Sequence, residues 1–210
     1  MYFSRIALDT GRRETMRALH TPSILHGAVE ASFPGERARR LWRVDVLRGQ
    51  TYLLLLSDEK PELSGVQEQF GFPDQPWETK DYQPLLDRIV EGSRWRFRLQ
   101  CNPTKSVPAG EKKRGRVEAI TIAARQREWL ARQGTKHGFS VAEGGFDVVS
   151  SEWKRFGKGN EHGREVVLLQ AVFEGVLTVT DAATFQTALI KGIGRGKAYG
   201  LGMMTVMRCE

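Results

Sequence analysis

Apolar and polar positions recur along this chain with two periods, and these separate its expected strands from its expected helices. Met1–Leu8 is short and largely apolar and reads as an opening strand. It is too brief, and polar too soon, for a signal peptide. Asp9 and Thr10 offer N-caps for a helix from about Arg12. Pro22 interrupts that helix. Thr21-Pro22 reads as the cap and first position of a second helix, running to about Ser32. Leu25, Ala28, Val29 and Phe33 mark its apolar side. Leu41–Val46 alternates as a strand and Thr51–Leu56 is an apolar run of strand length, so Gly49-Gln50 predicts a hairpin. Residues 58–92 are broken by Pro61, Pro73, Pro76 and Pro84, with short helices expected at about 62–70 and 82–91.

The pattern sharpens after Ser93. In Arg94–Cys101, Trp95, Phe97, Leu99 and Cys101 alternate strictly with polar residues, which sends Arg94, Arg96 and Arg98 to the opposite side. Arg116–Ile122 is expected to return as the partner of that strand, with Lys112-Lys113-Arg114 projecting between them. Ala123–Gln133 reads as a helix around Trp129 and Leu130. Further strands are expected within Phe139–Val149 and Val166–Thr180. Asp181 then caps a helix that ends at Gly192, and Met203–Met207 forms a last strand.

This order of elements predicts an α+β protein of two tandem ferredoxin-like (RRM-like) βαββαβ domains, residues 1–90 and 93–210. RNA-recognition modules use the same sheet. No repeat of 20–50 residues is visible, so the duplication rests on element order alone.

Composition narrows the function. No stretch approaches the ~18 apolar residues of a membrane span. Cys101 and Cys209 form no CxxC pair, which fits a reducing cytoplasm. The net charge of +7 is unevenly placed. Arg94 to Lys136 holds twelve Lys/Arg against three Asp/Glu, whereas the rest of the chain holds twenty against twenty-two. So concentrated an excess fits a polyanion partner, with a solvated basic surface as the alternative.

Residues 192–202 read Gly-Ile-Gly-Arg-Gly-Lys-Ala-Tyr-Gly-Leu-Gly. A Walker loop would need Ser or Thr where Ala198 follows Lys197, and a dinucleotide fingerprint should open a helix rather than follow one. Glycines let a backbone approach a phosphate, and Arg195 and Lys197 would add charge. A tight helix-to-strand connection is the alternative. The spacing of Gly192, Gly194, Gly200 and Gly202 before the last strand resembles the C-terminal loop of the RAMP superfamily of CRISPR systems. Asn102-Pro103-Thr104-Lys105, Trp129-Leu130 before Gly138-Phe139, and Val172–Asp181 narrow the resemblance to the CasE endoribonucleases of type I-E (Cascade) systems. It covers most of the chain, densely after residue 94 and weakly over 58–92.

RNA cleavage without a metal uses the 2′-hydroxyl as nucleophile. A base takes its proton, an acid protonates the leaving 5′-oxygen, and cations hold the phosphorane charge. The four histidines and two cysteines have no zinc-like spacing, and no cofactor is expected. His26 is the preferred candidate, with Ser23 and Glu30 nearest it on the surface of its helix. His20 is the rival. The resemblance supports His26, because the family's active histidine lies seven residues before a Phe-Pro, here Phe33-Pro34. Some relatives carry a tyrosine where this chain has Ser23. The expected RNA-binding residues are Arg94, Arg96, Arg98, Lys105, Lys112, Lys113, Arg114 and Arg116. The loop adds Gly192, Gly194, Arg195, Lys197, Gly200 and Gly202. The resemblance thus implies an endoribonuclease that cuts CRISPR precursor RNA at the base of each repeat stem-loop and stays with the product among the other Cascade subunits. A non-catalytic RAMP scaffold and a general RNA-recognition protein are the alternatives.

Overall fold

The structure is a computed structural model describing residues 1–35, 38, 40–108, 115–157 and 165–209. Two compact units divide it. The first gathers Met1–Arg88 with Arg155–Val166 and Lys197–Gly200; the second gathers Ile89–Lys154, Val167–Gly196 and Leu201–Glu210.

In the first unit, β1 (Tyr2–Ala7) leads into α1 (Arg13–His20) and α2 (Pro22–Ala31). Then come β2 (Leu41–Leu47), β3 (Gln50–Ser57), α3 (Ser64–Phe70), β4 (Glu78–Asp81) and the single turn α4 (Gln83–Leu86). The sheet runs β2-β3-β1-β4, antiparallel throughout. Ile6, Leu53 and Leu55 from the strands and Leu25, Val29 and Val66 from the helices build one buried cluster. Burial of such side chains is the main driving term, roughly 1.5–3 kcal/mol each.

Local details depart from the sequence reading. Neither Asp9 nor Thr10 caps α1. Arg12 holds the N-cap position without a side-chain hydrogen bond, and Asp9 Oδ1 instead accepts from Gly11 N at 2.9 Å. Thr21 likewise makes no capping hydrogen bond, although Pro22 does start α2. The β2–β3 turn is Arg48-Gly49, with φ of 52° and 81°, because Gln50 already pairs with Leu47. Two successive positive φ values match the twist of a tight hairpin. The helix expected at 82–91 shortens to α4.

The second unit holds β5 (Arg94–Cys101), β6 (Thr104–Val107), β7 (Arg116–Ala119) and α5 (Ala123–Lys136). It continues with β8 (Phe139–Gly157), β9 (Glu165–Val179), α6 (Ala182–Lys191) and β10 (Met204–Arg208), the ends of β8 and β9 grouping with the first unit. Its sheet order is β10-β5-β9-β8. Counting only the strands of each four-stranded sheet, both have the order 4-1-3-2 with helices in the first and third connections, the ferredoxin-like plan twice over. The alternation in β5 is realised: Trp95, Phe97, Leu99 and Cys101 are buried. Its expected partner is not. Both edges of β5 are taken by β9 and β10, and Arg116–Ala119 pairs with β6 as a separate two-stranded hairpin. Asp181 caps α6 by accepting from Thr184 N at 2.9 Å.

Candidate active site and nucleic-acid interface

Pro22 has no N–H to waste at the first position of α2, so the helix can begin there. Leu25 and Val29 are buried. Ser23 and His26, one turn apart, are half-buried. His26 Nδ1 is sealed from solvent and has no hydrogen-bond partner. That leaves Nε2 as the ring nitrogen able to meet a ligand. Ser23 Oγ donates a long hydrogen bond, 3.4 Å, to the carbonyl of Gly157 at the end of β8. The rival His20 is exposed at the end of α1, and its Nδ1 lies 2.7 Å from the Met16 carbonyl of its own helix. His137 ends α5, and His162 lies outside the described residues. Among the described residues no three His, Cys, Asp or Glu side chains gather as a metal site.

The glycine-rich loop has two parts. Gly192, Gly194, Gly196, Gly200 and Gly202 all have φ between 72° and 90°, the left-handed region that disfavours other residues. Its arms are tied within the second unit: Ile193 N donates to Gly202 O at 2.8 Å, and Gly202 N to Gln100 O at 2.7 Å. Gly192 N donates to Ala188 O at 2.8 Å. Its centre, a short 3-10 turn Lys197–Tyr199 followed by Gly200, belongs to the first unit and comes within 8 Å of α2 and β2 between Cα atoms. There Tyr199 packs edge-on against Phe156, with ring centroids 5.0 Å apart. Gly192, Gly200 and Gly202 are buried, and their N–H groups are engaged inside the fold. In the protein alone, the N–H groups of these three expected RNA contacts therefore close hydrogen bonds that shape the loop. Arg195 is exposed beside Asn102, while Gly194 and Lys197 are half-buried.

The basic residues fall on separate surfaces of the second unit. Arg94 and Arg96 are exposed on one face of β5, and Arg98 on that face pairs with Glu174 of β9. Lys105 and Arg116 lie on the β6–β7 hairpin and share Glu118, at 3.5 and 2.6 Å. Lys112, Lys113 and Arg114 lie outside the described residues. The structure adds a groove of about 420 Å³ between the hairpin and α5, lined by Lys105, Thr121, Arg125, Glu128 and Arg132. Arg125 and Arg132 do not stand out in the sequence, although a spacing of seven places both on one helix face.

A buried-backed histidine helix and a glycine-rich turn, on two ferredoxin-like sheets, define the class to which this molecule is comparable. The chain belongs to the family of CRISPR-associated proteins, whose profile matches residues 1–208. It is similar to the CRISPR-associated endoribonuclease Cse3 of Thermus thermophilus, 30% identical over 221 residues, covering 98% of this chain and 99% of the relative. It is 32% identical over 118 residues to the CRISPR system Cascade subunit CasE of Escherichia coli K12, over 52% of this chain and 56% of that protein. Thermus thermophilus Cse3 bound to an RNA representing a pre-cleavage complex superposes with a TM-score of 0.83 at 25% identity, over 98% of each chain. No helix among the described residues is long and apolar enough to cross a membrane.

Proposed function

We propose that this chain is a metal-independent endoribonuclease that cuts CRISPR precursor RNA at the base of each repeat stem-loop and retains the product for a Cascade complex in the cytoplasm. The observation that carries the reading is an accessible imidazole nitrogen on α2, in a chain alike from end to end to a relative named as an endoribonuclease. His26 Nε2 exchanges protons with the reacting oxygens, and the 2′-hydroxyl attacks the adjacent phosphorus. The products are a 2′,3′-cyclic phosphate and a 5′-hydroxyl. Ser23 is near enough to His26 to offer its hydroxyl to the same phosphate. The likeness to a Cascade subunit supports assembly with other subunits.

Cleavage of the repeat hairpin in EDTA tests the chemistry. Cutting is expected of the all-ribose RNA and not of the same RNA with one 2′-deoxy at the cut site. Cutting of both, or cutting only with added metal, would sink the mechanism.

Binding is assigned to the basic surfaces of the second unit, including the groove of Lys105, Arg125 and Arg132. An A-form stem hides its base edges in a deep, narrow groove, so phosphate and shape contacts carry the affinity. Arg125→Ala and Arg132→Ala are each expected to weaken RNA binding and to lower the salt slope of log K by about 1. Their single-turnover cleavage at saturation should be unchanged. A slope equal to that of the unaltered protein would remove the groove from the interface.

A further inference from the structure

Resting on the nuclease reading above, we infer that Lys197 is a catalytic residue, a cation that meets the scissile phosphate beside His26. The loop that carries it is mostly built into the second unit, yet Lys197–Gly200 groups with the first. Three contacts fix that placement. Gly200 N donates to Lys197 O at 3.2 Å and closes the turn. The Gly200 backbone lies on the Trp42 ring, where a Cβ would come within 2.7 Å of Cζ3. Tyr199 is held against Phe156, next to the Gly157 carbonyl that receives Ser23 Oγ. The turn therefore reaches α2 on the structural elements that also touch Ser23, three residues before His26.

The chemistry asks for a group of this kind. The 2′-hydroxyl proton passes to His26 Nε2 as the O2′–P bond forms. The P–O5′ bond breaks, and the imidazolium returns a proton to O5′. Charge gathers meanwhile on the non-bridging oxygens, and preorganised cations aimed there contribute the largest single share of such catalysis. With Nδ1 sealed, His26 has one working nitrogen and cannot also serve those oxygens. Among the described residues that follow α2, the cation Arg40 is buried over the Phe33 ring, 3.8 Å from its centroid, which holds it away from them. That task falls to Lys197, half-buried on the turn whose backbone lies beside α2, and it keeps its own proton throughout.

Single-turnover cleavage of the host's CRISPR repeat hairpin by Lys197→Met and Lys197→Arg tests the assignment, with affinity measured by filter binding and folding by melting temperature. Lys197→Met is expected to slow the cleavage step about 10²–10³-fold, with only a few-fold loss of affinity, and Lys197→Arg to recover much of the rate. A phosphorothioate at a non-bridging oxygen of the scissile phosphate should slow the unaltered protein more than Lys197→Met, a difference that a merely structural lysine would not produce. Lys197→Met cutting at the unaltered rate with weakened binding overturns the assignment and leaves the nuclease reading intact. No cutting by the unaltered protein overturns both.

Discussion

His26→Ala is expected to slow cleavage of the repeat hairpin by about 10²–10⁴-fold, the usual contribution of a positioned acid–base group. RNA affinity should change no more than a few-fold. The two effects separate because the basic surfaces assigned to binding lie in the second unit, whereas His26 lies on α2 of the first. The substitution should also leave the fold intact. Leu25 and Val29 make the buried face of α2, and the Nδ1 of the imidazole forms no hydrogen bond that an alanine would break. Ser23→Ala should cost much less, within about tenfold, since one neutral hydrogen bond contributes about 1 kcal/mol and its bond to Gly157 is long at 3.4 Å. His20→Ala is the control. Its ring lies against its own helix through the Met16 carbonyl, so cleavage should persist. Should His26→Ala cut at the unaltered rate and His20→Ala fail, the reactive histidine is the other one.

How much of this is legible in the sequence depends on whether the determining contact is local. The alternation of β5 and the apolar side of α2 are set by periodicity, and both appear where expected. Asp181 is legible as a cap because Thr184 stands three residues on, whereas Asp9 misleads because the nearer Gly11 N–H captures its carboxylate. The strand β4 is invisible: Glu-Thr-Lys-Asp has no apolar position, and its existence rests on pairing with β1. Arg116–Ala119 can be recognised as a strand but not assigned a partner, since four residues carry too little pattern to choose between β5 and β6. The candidate site shows the same limit. His26 and the glycine loop are each visible, the latter by its spacing and a family resemblance. That the centre of the loop belongs with α2, while its arms hold to Gln100 and Ala188, is a long-range fact that no local pattern encodes. Glycine spacing alone suggests a clamp away from His26; the central turn instead groups with the unit that carries it.

Gly200→Ala puts that placement to its most demanding test. Two costs combine at this residue. Its φ of 75° is left-handed, which costs a residue with a Cβ roughly 1–2 kcal/mol. The added methyl would stand 2.7 and 3.0 Å from Cζ3 and Cε3 of Trp42, a buried ring of the first core, and overpacking of that kind typically costs about 1–3 kcal/mol. A total loss of about 2–5 kcal/mol is expected in chemical unfolding. Gly49→Ala supplies the comparison within the same unit. Its φ is 81°, but nothing lies within 4 Å of the position its methyl would take, so only the conformational part, about 1–2 kcal/mol, should appear. The excess at Gly200 over Gly49 then measures the Trp42 contact. Because Trp42 cannot yield without disturbing the core, part of the strain will be relieved by moving the turn, and Lys197 with it. Single-turnover cleavage by Gly200→Ala should therefore fall well below that of Gly49→Ala, even at temperatures where both are fully folded. Equal cleavage by the two variants would mean that the turn does not need to be where Gly200 and Trp42 hold it.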